Sequence, residues 1–358
     1  MTQPSTNAQP LRAILESFGI PPDAPVQTPD RGGFSGARVW RVTANESSWC
    51  LKAIPSHQVD PTRQAGLHRL LQHLADGGLD FVPRPRHTQS GERWLVTGGN
   101  LWQCETWLPG EADRTPHITT DRIAAGLQAL ARWHQRAVSF APLPAEQPWF
   151  RSHPAEPSPA VRERARRLHD WNPSRLKNLQ QRARSRVPCE LSPALELIVG
   201  EGLRRGPSLL GLLQAWHDHP VAIQPCLRDI WREHLLFTGN QVTGVIDPQA
   251  CRCDTVAVDL ARLLGSLCGN DRAGWRTGMA AYVGIRPLST AEELLVGLLD
   301  QSGCLLAGLH WLEILTERDS LPQEVSPAII GRLWHFADRL AAWSTGELPG
   351  SASAASLL

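Results

Sequence analysis

Three side chains in one short stretch carry groups suited to acid–base or metal chemistry. The stretch is CLRDIWREHLLFTGNQVTGVID, from Cys226 to Asp247, and the residues are Asp229, His234 and Asp247. Asp229 precedes His234 by five residues, and His234 precedes Asp247 by thirteen. HLLF and VTGVID have the apolar character of paired strands, with TGNQ as the turn between them. Such a hairpin brings His234 and Asp247 to the same end, where they would hold one divalent cation. Asp229 would accept a proton nearby. Phosphoryl transfer needs those parts: neutralisation of phosphate charge, and a carboxylate that orients the incoming hydroxyl.

Two further features fit that chemistry. GGFSG comprises Gly32, Gly33, Phe34, Ser35 and Gly36. Glycines let the backbone approach a ligand closely, and exposed N–H groups at a hairpin tip cover phosphates. Taken alone, the same turn also suits an ordinary hairpin. Lysine occurs only at Lys52 and Lys177, and every other basic residue apart from histidine is arginine. Lys52 lies inside the apolar run WCLKAIP, where an unpaired ammonium is costly. It either snorkels from a strand edge or meets ligand phosphates as a compact point charge.

The elements that must position these groups are readable. LRAILESFG reads as a short helix, and RGGFSGARVWRVTA and SSWCLKAIP as a hairpin around ANES. PTRQAGLHRLLQHLADGG reads as a helix with Leu67, Leu70, Leu71 and Leu74 on one face, stopped by Gly77-Gly78. Further strands run to Pro109-Gly110, and DRIAAGLQALARWHQRA opens a mainly helical remainder. Residues 145–220 read as helical, rich in arginine and broken by prolines. DTVAVDLARLLGSL and the helices up to about Trp343 follow the Asp247 hairpin.

The expected division is therefore an extension with a short helix (1–29), a small N-terminal β-sheet lobe with one helix (30–104), and a helical lobe with the Asp229 loop and the Asp247 hairpin (105–345). Within the last, 145–220 would form an insertion, the wall of a substrate pocket if the chain is an enzyme, and 346–358 would be a disordered tail. The fold class is α+β, a bilobal arrangement with a small β-rich lobe and a large helical one.

Composition excludes several classes. With 358 residues, 42% hydrophobic, 20% charged and a net charge of +1, the chain has no global basic field to gather nucleic acid or an anionic membrane. No uninterrupted apolar run approaches a bilayer's span. Eight scattered cysteines without a C-x-x-C pair and no signal-peptide pattern point to a reducing cytoplasm. Cys251 and Cys253 are half of a zinc site at most.

In combination these motifs resemble the aminoglycoside phosphotransferase and choline kinase type of small-molecule kinase, a branch of the protein-kinase-like fold. That family's loop reads close to H-G-D-x-x-x-x-N, with the Asp of I-D-[FP] thirteen residues after the Asn. Here Leu227-Arg228-Asp229 stands in the H-G-D place, VTGVID in the hairpin and DLARLL in the following helix. GGFSG, CLK, LPG (Leu108 to Gly110) and LQALARWH (Leu127 to His134) match its glycine loop, phosphate lysine, hinge and first large-lobe helix. The resemblance spans roughly residues 30 to 340. It implies ATP with Mg²⁺, or Mn²⁺, and a small-molecule acceptor. Asp229 would be the catalytic base, Asp247 a metal ligand and Lys52 the holder of the α/β-phosphates. The backbone of Glu105, Thr106 and Trp107 would meet adenine, and Asp259 would buttress the loop.

Three positions depart from the pattern. His234 stands where the metal-binding Asn is usual, and imidazole suits hard Mg²⁺ poorly. Leu227 replaces the loop histidine. The helix from Pro61 offers no glutamate to pair with Lys52, only His68. The alternative to a kinase is therefore a nucleotide-binding module with little turnover. A zinc hydrolase built on Cys251 and Cys253 would explain neither Lys52 nor the glycine turn. Residues 145–220 hold more arginine than acid, which suits an acidic or stacking acceptor better than a polycationic aminoglycoside.

Overall fold

The computed structural model describes residues 8–29, 36–115, 117–317 and 327–344. The chain starts with α1 (Ala8–Ser17), β1 (Val26–Gln27), β2 (Arg38–Ala44), β3 (Ser47–Pro55) and α2 (Pro61–Asp76). Next come β4 (Pro85–Arg86), β5 (Leu95–Thr97), β6 (Asn100–Thr106) and β7 (Glu111–Ala112). Helices α3 (Thr120–Ala137) and α4 (Gln147–Phe150) precede β8 (His153–Pro157), α5 (Pro159–Asp170), α6 (Pro173–Arg186), α7 (Ser192–Ala215) and β9 (Pro220–Cys226). The remainder is β10 (Leu235–Thr238), β11 (Gln241–Val245), β12 (Arg252–Asp254), α8 (Ala257–Cys268), α9 (Arg272–Val283), α10 (Thr290–Glu317) and α11 (Pro327–Ser344). The α+β class is as expected: an antiparallel sheet near the N-terminus and a mostly helical remainder.

Two compact units emerge. The first holds residues 1–114, 135–151 and 233–251; the second holds 115–134, 152–232 and 252–358.

In the first unit the sheet order is β1-β2-β3-β6-β4, with β5 also on β6. Asn45 and Glu46, at φ 49° and 63°, make the two-residue turn between β2 and β3. Positive φ at both positions matches the strand twist. Ile14 and Leu15 of helix α1, with Phe18 just after it, pack with Val42, Leu51 and Trp102 of the sheet. Asp60 caps α2 by accepting from the Arg63 N–H at 2.9 Å, and Pro61 begins it. The expected stop at Gly77-Gly78 holds, and the two positions suit glycine for different reasons. Gly78 adopts φ +86°, whereas at Gly77 a Cβ would fall 2.0 Å from the Arg136 side chain.

In the second unit α10 packs against α5, α6, α7, α8 and α11. It is long and apolar enough by composition to cross a bilayer, but 61% of its apolar window is buried inside the protein. The reading of 145–220 as helical needs one correction. HPAEP forms β8 at the edge of a β12-β9-β8 sheet, with an irregular register between His153 and Glu156. Two prolines in five residues disfavour helix and tolerate an edge strand.

Candidate active site

Lys52 sits on β3 between β2 and β6, and the whole residue is 9% exposed. Register pairs Lys52 with Gln103 and Cys50 with Glu105. Lys52 and Glu105 therefore share a face as diagonal neighbours. Their side chains form an ion pair at 2.5 Å. Burial works against the ammonium. The Glu105 carboxylate, with Asp247 further off, outweighs it and raises the lysine pKa. Lys177, by contrast, is exposed on α6. The partner absent from α2 is thus supplied by a strand.

His68 does face this sheet, but it does not replace a glutamate. Its Nε2 lies 3.2 Å from Gln103 Oε1 and 3.1 Å from Gln64 Nε2. Burial lowers its pKa to about 4, so it packs as a neutral ring. A histidine whose pKa falls on folding favours the native state only while the unfolded chain is also uncharged. Its contribution is intact above pH ~6.5 and is lost as pH falls toward ~4. At pH 5 the loss from this group alone should be about 2 kcal/mol. Urea unfolding at pH 7.5 and pH 5 will show it as a lowered midpoint. The difference should shrink in His68→Gln; an unchanged difference would remove His68 from the account.

The β10–β11 hairpin brings His234 and Asp247 to one end, as its sequence suggested. Leu235 pairs with Val245, and the Ile246 N–H donates to the His234 carbonyl at 2.9 Å. The hairpin is tied down inside its unit at three points. The Val245 N–H donates to Phe81 O at 2.8 Å. Arg63 of α2 reaches the carbonyls of Gln249 and Cys251. Strand β7 pairs with β10. That last pairing needs Gly110, which has φ +94° and would place a Cβ 2.4 Å from Thr243 Oγ1. Thr243 Oγ1 also donates to Pro109 O at 2.8 Å, which fixes the LPG segment on the hairpin. Asp247 itself has φ 57° and ψ 55°. A left-handed aspartate before a proline is strained, and such strain clusters where a side chain must be aimed.

Of the glycine turn, Gly32, Gly33, Phe34 and Ser35 lie outside the described residues; Gly36 is described, at φ +72°. The strand expected to meet adenine is partly committed elsewhere. The Thr106 N–H donates to Arg84 O at 3.0 Å and the Trp107 N–H to Ser48 O at 2.9 Å. Those two donors are taken within the sheet, and the Glu105 side chain is on Lys52.

In the second unit, the loop after β9 hangs from one carboxylate. Asp259, in the first turn of α8, is fully buried. Its two oxygens accept from the backbone N–H groups of Leu227 and Arg228, at 2.7 and 2.6 Å. His134 Nε2 lies 3.0 Å from Asp259 Oδ2, and His134 Nδ1 lies 2.8 Å from the Tyr282 hydroxyl. An ionised carboxylate only accepts, so Nε2 carries the proton and Nδ1 accepts from Tyr282. Burial lowers the histidine pKa and raises that of the tyrosine, which keeps both neutral. Asp259 thus buttresses the loop, as expected, through a chain of four groups.

Arg228 has φ 61°. That conformation favours glycine, the residue in the resembling pattern. Its guanidinium is held by Glu163 at 2.6 Å and the buried Asp254 at 3.2 Å. Asp254 in turn accepts from Ser158 Oγ at 2.7 Å and the Thr255 N–H at 2.9 Å.

Asp229 follows, with its side chain about half exposed. Trp231 Nε1 donates to its Oδ1 at 3.0 Å, and Arg262 of α8 forms an ion pair with the same oxygen. Arg262 lies three residues after Asp259, so both project from one face of α8. Sequence reasoning overlooked Arg262 and Trp231. The helical spacing from Asp259 was the available signal. Among the described residues the one cluster compact enough for a metal is His134, Cys226 and Asp259, all buried; His134 and Asp259 are engaged as above, and the Cys226 thiol donates to Asp254 O at 3.3 Å. Cys251 and Cys253 are buried and lie outside it.

Comparison with known proteins gives the family and the fold. A profile of the phosphotransferase enzyme family matches residues 26–295. The chain belongs to that family, and its class is that of a small-molecule kinase with a protein-kinase-like fold. Among curated relatives, a homoserine kinase of Gluconobacter oxydans is 33% identical over 282 residues, 75% of this chain and 77% of the relative. A spectinomycin phosphotransferase solved with ADP and spectinomycin superposes with a TM-score of 0.67 at 14% identity, over 97% of this chain and all of that one. An amicoumacin kinase solved with AMP-PNP and Ca²⁺ gives 0.61 at 13% identity, covering 89% and 88%.

Proposed function

We propose that the protein transfers the γ-phosphate of ATP to a hydroxyl group of a small molecule, with a hydroxyl-bearing amino acid such as homoserine as the acceptor type. Support for the acceptor comes from the homoserine kinases among its relatives. The observation that carries the phosphotransfer reading is the buried Lys52–Glu105 pair with the Asp247 charge acting on it. A buried ammonium held among carboxylates is costly unless well paired, and it gives anionic phosphate a fixed cation to meet.

Lys52 holds the α/β-phosphates. Asp247, a lone carboxylate aimed by a strained backbone, suits Mg²⁺, which commonly takes one or two carboxylates and fills its remaining positions from phosphate and water. Bound there, the ion would neutralise charge on the β- and γ-phosphates. Asp229 accepts the proton of the acceptor hydroxyl as its oxygen attacks the γ-phosphorus, and ADP leaves. Arg262 and Trp231 fix the carboxylate in place for that step.

His234 favours a second reading, a nucleotide-binding module with little turnover. Imidazole is a weak ligand for Mg²⁺ and a better one for Mn²⁺. Calorimetry of ATP with either metal, on wild type and His234→Asn, tests the nucleotide site that both readings share, and turnover of the bound ATP separates them. Metal-dependent ATP binding is expected in both forms, tighter with Mg²⁺ in the Asn form. No ATP binding in either form would end the phosphotransfer reading.

A further inference from the structure

The surroundings of Asp229 hold more positive charge than the base requires. Trp231 lies two residues beyond it, and two guanidinium groups stack on its indole. Arg262 has its central carbon 4.4 Å from the ring centroid, and Arg332 of α11 has its own at 4.6 Å. Arg262 is taken by Asp229. Arg332 is half-buried and makes no ion pair or hydrogen bond among the described residues. Arg339 on the same helix is matched by Asp300 at 2.5 Å. The effect of the excess is visible on its neighbours. Burial disfavours the charge on Arg262, and Arg332 adds to that. His335 is pushed down to about 4 by burial and by Arg339, Arg332 and Arg232.

We propose that Arg332, stacked on the Trp231 indole whose Nε1 donates to Asp229, receives a carboxylate of the acceptor, so that the substrate is a hydroxy acid or hydroxyl-bearing amino acid. This rests on Asp229 being the base. A partly desolvated guanidinium without an anion is costly, and a planar carboxylate matches its fork. The anion would also offset the repulsion between Arg332 and Arg262. The indole stacks both cations without competing for the anion. Acceptors bearing only ammonium groups would meet like charge here.

The test is steady-state kinetics with L-homoserine and with aminopropanol, which is homoserine without its carboxylate. Wild type should favour homoserine. Arg332→Gln should raise its KM about 10- to 100-fold, the worth of a charged hydrogen-bonded contact. KM for ATP should stay unchanged, which also shows that the variant is folded, and KM for aminopropanol should stay unchanged or fall as the like charge is removed. Arg332→Lys should recover part of the loss. Arg332→Gln acting equally on both acceptors, or on ATP instead, overturns the inference. Wild-type transfer to aminopropanol alone overturns it too, with the kinase reading intact. No transfer to any alcohol overturns both.

Discussion

Replacing Asp229 with alanine is expected to lower the rate of phosphate transfer by about 10²- to 10⁴-fold, the usual worth of a positioned proton acceptor. ATP affinity should stay within about twofold of wild type, because Lys52 and Asp247 carry the phosphate contacts in this account. Stability should move little. Asp229 is 47% exposed and Arg262 30%, so the ion pair lost is one that water screens, and such pairs are worth about 0–1 kcal/mol. The signature is a collapse of kcat without loss of nucleotide binding or of the folded state. A kcat within tenfold of wild type would remove Asp229 from the chemistry.

The second large effect is on folding. Asp259→Ala removes one carboxylate that satisfies two backbone N–H groups and the His134 ring in a dry interior. Three buried donors are then left without an acceptor, and the loss should be about 3–5 kcal/mol. Tyr282→Phe removes only the far end of the same chain, the hydroxyl on His134 Nδ1. It should cost about 1–3 kcal/mol, because one buried acceptor is left unpaired. Urea unfolding should rank wild type above Tyr282→Phe and Tyr282→Phe above Asp259→Ala. Equal midpoints for Asp259→Ala and wild type would mean that the loop does not depend on this carboxylate.

Much of the fold and site is legible in the amino-acid sequence. The hairpin that joins His234 to Asp247 follows from local alternation and a turn, and both are encoded within a few residues. Lys52 stands out because the chain otherwise uses arginine. What local sequence does not carry is pairing over distance. Glu105 is fifty-three residues from Lys52, and only the β3–β6 register makes them diagonal neighbours. The same holds for Arg332, which reaches Trp231 from a helix about a hundred residues further on. Arg262 is closer to hand, because its spacing from Asp259 puts the two on one helical face. Strand β8 escapes for another reason: its prolines break the helical pattern, but its place on β9 is a tertiary choice. The tail beyond residue 345 and most of the glycine turn lie outside the described residues.

Leu227 and Arg228, where the resembling loop has His and Gly, do not dismantle the loop. Leu227 is buried, and its N–H is held by Asp259. Arg228 endures a left-handed backbone and is compensated by Glu163 and Asp254. A side chain at this point therefore ties the loop to α5 and to the edge of β12 within the second unit, a link glycine would not make.

The central claim is transfer of phosphate from ATP to a carbon-bound hydroxyl. Phosphorus NMR of wild-type protein with ATP, L-homoserine and Mg²⁺ or Mn²⁺ tests it most directly. ADP and a phosphate ester coupled to the adjacent methylene protons should appear together in equal amounts, and at least about 10²-fold more slowly with Asp229→Ala. ADP accompanied only by inorganic phosphate, or ATP left intact with every acceptor and both metals, would contradict it.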